Sequence, residues 1–403
     1  MFVADMDISW MQSPFLRHRC LLKSEFDIKL LIQAGAKKIT IDTSRGKDIN
    51  EGTTAEIDET NPVSTPPPPV APPAEPIKPV KPAAPPKPIQ TTMAEELGAA
   101  NAARQRTESA LTQSFAEWER GNIVIDAELQ GALEETTASL SRNDQALLRI
   151  LVEAKREPSL VTHAFATYTL ITALCQQAKF SKHDIQDVGL AAILHDFGWL
   201  KLPRNLLLKA RAFTDKEQLL VGKHVDIMDN QLANAQHISA RIKAWVHLHE
   251  QLTQLDELEG LDKPQDKKLL SALQVVDQYD ELCAGIMGKQ GRTPSAALSF
   301  LYRNALTGSY SIEWVQKLIF MIGVYPLGSA VLLSNHEKGV IAEIHRDSPL
   351  HPVIEVRYNR LGQPLMQPVL RQLEKQAGDE DVRIVSAIDP MDSKQDPAGI
   401  LRS

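Results

Sequence analysis

The chain has 403 residues, 43% hydrophobic and 24% charged, with a formal net charge of −7. That length allows two or three domains with a sizeable core, and the acidic balance argues against binding polymeric nucleic acid. Three scattered cysteines (Cys20, Cys175, Cys283) without CxxC pairing argue against a disulfide framework or a thiolate zinc site. No run approaches the ~20 apolar residues of a bilayer span, and no signal-peptide layout opens the chain, so a cytoplasmic protein is expected.

Residues 1–48 read as a small α+β unit. Extended segments at Phe2–Val3 and Lys38–Asp42 flank a helical pattern from Ser24, the N-cap, through Phe26, Leu30, Leu31 and Ala34 to Gly35. Residues 49–92 contain TPPPPVAPPAEPIKPVKPAAPPKP, dense in proline and without periodicity, which predicts an extended polyproline spacer. Alanine- and glutamate-rich sequence predicts a helix over Met93–Trp118 and another from Asp126 to Ala154, a helical connector spanning 93–154. A helical region follows over 155–326. Beyond Pro326, Ser329–Leu333, Gly339–Ile344 and Val353–Tyr358 alternate as strands separated by polar turns, a β appendage over 327–375. Residues 376–403 read as a loosely ordered tail. The fold class is mainly α.

The helical region holds the chemistry. His195 and Asp196 close the apolar run Leu190–Leu194, and Gly198 and Pro203 stop the helix just beyond. An aspartate there meets the negative end of the helix dipole, unfavourable by ~0.3–1 kcal/mol, which a bound cation would explain. His163 borders the apolar stripe of PSLVTHAFATYTLITAL. His224 sits in a helix with Leu219, Leu220, Val225 and Ile227, after a capping box formed by Thr214 and Glu217. In RIKAWVHLHE, His249 shares the apolar face of Trp245 and Val246, whereas His247 aligns with Lys243 and Glu250 on the polar face. Asp277 lies four residues after Leu273 and seven after Leu270, a carboxylate on an apolar stripe that needs a cationic partner. Imidazoles and carboxylates converging from helices suit Mn²⁺, Fe²⁺ or Zn²⁺, with His163, His195, Asp196 and Asp277 as the set that would hold it.

In this order, the segments VTHAF, LHDFG, GKH, HLHE and VVDQYDEL resemble the HD superfamily of metal-dependent phosphohydrolases, specifically the HD-GYP cyclic-di-GMP phosphodiesterases, over about 155–335. YPLGSAVLLSN is similar to the strand that follows the module in that family. SWMQSPFLRHRCLLKS followed by AGAKKITIDTSRG resembles the small domain of unknown function often fused before it. In that domain another strand usually precedes the segment matching Met1-Phe2-Val3, which implies a short preceding piece of chain. The resemblance implies an HD-type helical bundle and metal ligands at His163, His195, Asp196, His224, His249 and Asp277. It also implies a cyclic dinucleotide as substrate in bacterial second-messenger signalling, with other signalling proteins as further partners; the helices at 93–154 could pair two chains, but they lack a clean heptad, and the oligomeric state stays open.

Departures from the family pattern accompany the matches. Gly198 is followed by Trp199 where the family has a phosphate-contacting lysine; Lys201, two positions on, is the candidate replacement and, with Asp196, the catalytic pair. Leu248 stands where the paired histidines begin, leaving His249. QLTQLDELEGL lacks Gly-Tyr-Pro, and Ser159 stands where trinuclear members carry a glutamate. The retained set is that of a one-metal site, with the second and third positions degenerate. Two functions follow: a divergent phosphodiesterase in which a metal-activated water attacks a phosphodiester, or a catalytically impaired cyclic-di-GMP receptor or docking module.

Overall fold

Thr92 starts the helical part of the molecule. Its hydroxyl accepts from the Glu95 backbone while Glu95 reaches back to the Thr92 N–H, a reciprocal cap that satisfies two otherwise orphaned donors. The computed structural model describes residues 2–6, 20–22, 28, 31–32, 36, 38–42, 91–153, 157–235, 237–254, 261, 263–345, 351–373, 382–389, 394–396 and 399–402. The chain divides into two compact units, one of residues 1–13 and 17–88, the other of 14–16 and 89–403.

In the first unit, strands β1 (Phe2–Met6), β2 (Cys20–Leu21) and β3 (Ile39–Ile41) form an antiparallel sheet of order β2-β1-β3. Val3 and Leu31 are buried. Most of the helix expected from Ser24 to Gly35 and the proline-rich spacer lie outside the described residues.

The second unit opens with α1 (Met93–Glu119) and α2 (Ala127–Glu153), a hairpin. At its centre Thr107 and Thr136 hydroxyls lie 2.9 Å apart, buried, and Thr107 also donates to the Ala132 carbonyl. Near its open end Arg142 forks onto the buried Glu96 carboxylate at 2.6 and 2.8 Å. Asn143 breaks helical geometry inside α2, its amide donating to the Thr91 carbonyl and its own side-chain oxygen accepting from the Gln145 N–H.

The bundle continues with α3 (Leu160–Gln177), α4 (Lys182–Leu194), a 3-10 turn at Phe197–Lys201, α5 (Arg204–Leu207), α6 (Asp215–Val221), α7 (Lys223–Ala233) and α8 (Ala240–Leu248). A second 3-10 turn at His249–Gln254 follows, then α9 (Pro264–Ala284), α10 (Pro294–Ala305) and α11 (Ile312–Ile322). Helix α3 is the axis: every residue from His163 to Cys175 is buried, and α1, α2, α4 and α9 all pack on it. Each Leu, Ile or Phe so buried contributes about 1.5–3 kcal/mol.

One ion cluster sets the register of three of these helices. Arg241 of α8 binds Asp184 (2.8 Å) and Asp187 (2.9 Å) of α4 and Asp266 (2.7 Å) of α9, its guanidinium stacked 4.4 Å from the Trp245 ring centre. The same three elements carry or adjoin His195, His249 and Asp277, so this cluster fixes the spacing of the site.

After the bundle, β4 (Ala330–Leu333), β5 (Lys338–Glu343), β6 (Val353–Tyr358), β7 (Pro364–Gln372) and β8 (Ile384–Ala387) form one antiparallel sheet of order β7-β6-β5-β4-β8. Three strands fall where alternation predicts them; β7 and β8 are additions. The loosely ordered tail expected after 376 is corrected in its described parts. There β8 pairs with β4, and Asp396, fully buried, accepts from the Tyr358 hydroxyl and from the Ile400 and Leu401 N–H groups. Among the described residues, no helix is long and apolar enough to cross a membrane.

Candidate metal centre

Four histidines reach one place from four local structures, and each has its ring fixed in the same sense. His195 caps α4, and its Nδ1 lies 2.8 Å from the Ala192 carbonyl. His224, in the first turn of α7, places Nδ1 2.6 Å from the Val221 carbonyl; His249, at the end of α8, places Nδ1 2.6 Å from the Val246 carbonyl. A carbonyl can only accept, so each Nδ1 carries the hydrogen and, in the neutral ring, each Nε2 keeps its lone pair. His163 on α3 points Nδ1 at Asp280 Oδ2, 2.9 Å away. All four Nε2 atoms are thereby turned toward Asp196 and Asp277.

Asp196 faces two ways. Its Oδ2 lies 3.3 Å from His163 Nε2 and 3.3 Å from His195 Nε2, and Asp277 Oδ1 is 3.1 Å from each of the same two nitrogens. Its other oxygen, Oδ1, lies 3.8 Å from His224 Nε2 and 3.6 Å from His249 Nε2. The donors form two groups that share one residue: His163, His195, Asp196 and Asp277, and Asp196, His224 and His249, the atoms of each lying within 4.8 Å of one another.

These residues fit a divalent cation on the structure's own evidence. His163 Nε2 is buried without a hydrogen-bond partner, although carboxylate oxygens stand 3.1 and 3.3 Å away. A buried orphan of that kind calls for an ion or a proton. Without metal the charges redistribute. Burial opposes a charged imidazole at His195, but Asp196 and Asp277 outweigh it and push that ring up to about 10. His163 rises likewise against its burial, through Asp196, Asp277 and Asp280. Burial pushes Asp196 and Asp277 upward, but the facing imidazoles prevail and hold both below the usual carboxylate range.

One sequence candidate departs from the cluster. Lys201 is exposed, and its ammonium lies against the Glu119 carbonyl at the end of α1, away from the donors. The 3-10 turn carries it outward, so no catalytic contact is assigned to it. Trp199 instead is buried, its ring centre 5.4 Å from that of His224 and 6.2 Å from Phe213. His247 lies on the surface beside Asp229, 2.6 Å away, as its helical phase predicts. Ser159 serves as the N-cap of α3. Residues 255–260, within the stretch that lacks Gly-Tyr-Pro, lie outside the described residues.

The structure adds residues that the sequence reading passed over. Asp280 stands three positions after Asp277 on α9, and that spacing on one helical face was the available signal. Glu281 and Lys289 lie beside Asp277, 3.0 Å from each other, and Lys289 is 3.1 Å from Gln278, whose side-chain oxygen also accepts from the Tyr310 hydroxyl. Burial, reinforced by Asp277, pushes Glu281 up to about 8 despite Lys289. Lys289 follows the left-handed cap Gly285 in a loop with no periodicity to read.

Residues 146–311 match the HD domain family. Residues 1–127 match a domain of unknown function, DUF3391. The chain is 27% identical over 373 residues to the cyclic di-GMP phosphodiesterase PA4108 of Pseudomonas aeruginosa, covering 92% of this chain and 86% of that one. It is 28% identical over 134 residues to the cyclic di-GMP phosphodiesterase response regulator RpfG of Xanthomonas campestris, 32% of this chain and 35% of that protein. Among solved structures, Bd1817, an HDG"Y"P protein from Bdellovibrio bacteriovorus, is similar over 57% of this chain and 72% of its own, with 18% identity and a TM-score of 0.45.

Proposed function

We propose that this chain is a metal-dependent phosphodiesterase acting on a cyclic dinucleotide, with cyclic di-GMP as substrate. The observation that carries the reading is Asp196, whose two oxygens serve two groups of imidazoles in one buried cluster. Divalent cations held there would supply Lewis acidity toward a phosphoryl oxygen and lower the pKa of water. His163, His195, Asp196 and Asp277 would hold the inner ion, with His224 and His249 on the outer side.

The remaining steps fall to the chain. Nδ1–H contacts to backbone carbonyls keep three rings from turning, and Asp280 does so for His163, so the donors need little rearrangement. Lys289, rather than Lys201, is the cation placed beside the cluster, and it would neutralise a phosphate oxygen bound against Asp277. Relatives named as cyclic di-GMP phosphodiesterases, one matching over 92% of this chain, support the substrate.

Incubation of purified protein with cyclic di-GMP and Mn²⁺ or Fe²⁺, read by chromatography of linear dinucleotide and GMP, tests this. Product should form with wild type and fall to background in His195→Ala/Asp196→Ala. Wild type at that background would overturn the enzyme reading. Trp199 in the position of the family lysine favours a second reading, a cyclic-di-GMP receptor. Calorimetric binding of the dinucleotide without turnover would select it.

A further inference from the structure

We propose that a cavity behind the metal centre binds a small carboxylic acid with an apolar body. The cavity holds about 420 Å³, within the ~300–1,000 Å³ of small-molecule sites. It lies between α3, the end of α9, the start of α10 and strands β4 and β8. Of the clustered metal donors only His163 borders it, and Asp280, which holds the His163 ring through Nδ1, belongs to its wall. It is a separate compartment that shares one wall with the site above.

Three observations set the chemistry of the occupant. Leu148, Leu151, Leu170, Ile322 and Leu327 give the cavity an apolar interior, which a hydrocarbon body would fill. Ser329 also lines it and is only 5% exposed. Its N–H donates to the Pro326 carbonyl and its own carbonyl accepts from Ile341, but its hydroxyl has no hydrogen-bond partner. A buried hydroxyl left over in this way calls for a ligand atom.

The third observation is the charge at the start of α10. Thr293, the N-cap of this 12-residue helix, makes no side-chain cap, which leaves first-turn N–H groups for an outside acceptor. Arg292 beside it stacks its guanidinium 4.8 Å from the Phe300 ring centre and, among the described residues, pairs with no carboxylate. A helix N-terminus with an adjacent guanidinium suits an oxyanion. The apolar interior favours a singly charged carboxylate over a phosphate, whose desolvation costs more. Two carboxylates border the same cavity. Asp280 is turned to His163, and Asp389 is exposed to water that screens it, so Arg292 and the α10 dipole prevail.

Titration calorimetry of the full chain with 4-phenylbutyrate, and with 4-phenylbutan-1-ol as its uncharged counterpart, tests the assignment. Wild type should bind one phenylbutyrate per chain with a dissociation constant of ~1 mM or below, and the alcohol at least about tenfold more weakly. Arg292→Gln should weaken the acid at least about fivefold and leave the alcohol unchanged. Thr293→Asp puts a carboxylate at the α10 cap, where aspartate is a favoured residue, so the helix persists while binding of the acid is lost. Arg292 is exposed and Thr293 half-buried, so neither change removes core packing. Absence of saturable binding, equal affinity for acid and alcohol, or unchanged affinity for the acid in both variants would overturn the proposal. Neither metal nor dinucleotide enters the measurement, so its outcome is independent of the phosphodiesterase reading.

Discussion

The carbonyl oxygen of His224 lies 2.2 Å from the point where a Cβ on Gly198 would stand, and Met228 Cγ lies 2.9 Å from it. The turn after His195-Asp196 therefore packs directly on the first turn of α7, and this contact delivers His224 to Asp196. Gly198→Ala must push the two apart. It should cost about 1–3 kcal/mol in urea unfolding and weaken binding at the outer donor group more than at the inner one. Equal loss at both, by metal titration, would contradict this account.

Asp280 holds His163 through Nδ1, 2.9 Å from its Oδ2. Asp280→Ala should reduce metal affinity about 10–100-fold, with the fold retained, and Asp280→Asn should lose less. Competition with a chromogenic chelator measures both.

In the metal-free protein His195 stands near 10 against an ordinary 6.5. A raised folded-state value contributes stability that is complete below about 6.5 and is lost as pH climbs through about 10. Asp196 and Asp277 are depressed, so their contribution is present above about 4 and disappears as acid protonates them. Thermal melts of metal-free protein should fall between pH 7 and 10. Metal affinity should rise over the same range because binding expels those protons. Calorimetry in buffers of different ionisation enthalpy would count the protons released.

Lys201 makes its contact with the Glu119 carbonyl and none with the donors. Lys201→Ala should leave metal content and turnover within about twofold of wild type. A tenfold loss of turnover with normal metal content would restore it to the active machinery.

Asp396 closes the C-terminal sheet by accepting three hydrogen bonds in a fully buried position. Asp396→Ala should destabilise the protein by about 1–3 kcal/mol through the Tyr358 hydroxyl and backbone donors it strands. Denaturant titration followed by tyrosine fluorescence would show it.

The clustered imidazoles and carboxylates were legible because helical periodicity identifies a polar residue on an apolar face. His163, His195, His249 and Asp277 each betray themselves by their neighbours at three and four positions. Asp196 was legible from its place against the helix dipole. Lys201 was misjudged because helical phase stops at Leu194; a 3-10 turn follows, and its side chains point along other directions. Strand β7 escaped because Met366, Val369 and Leu370 are exposed, which erases the alternation that marks a half-buried strand. Strand β8 is too short to carry a pattern, and only its pairing with β4 gives it order.

Because Asp196 offers one oxygen to each group of histidines, neither position is a private one. An ion that settles among His163, His195 and Asp277 pins the aspartate and so prepares the neighbouring position for the next arrival. Occupancy of the two positions would therefore be linked through the orientation and charge of Asp196. A change at this one carboxylate would therefore be felt at both positions at once.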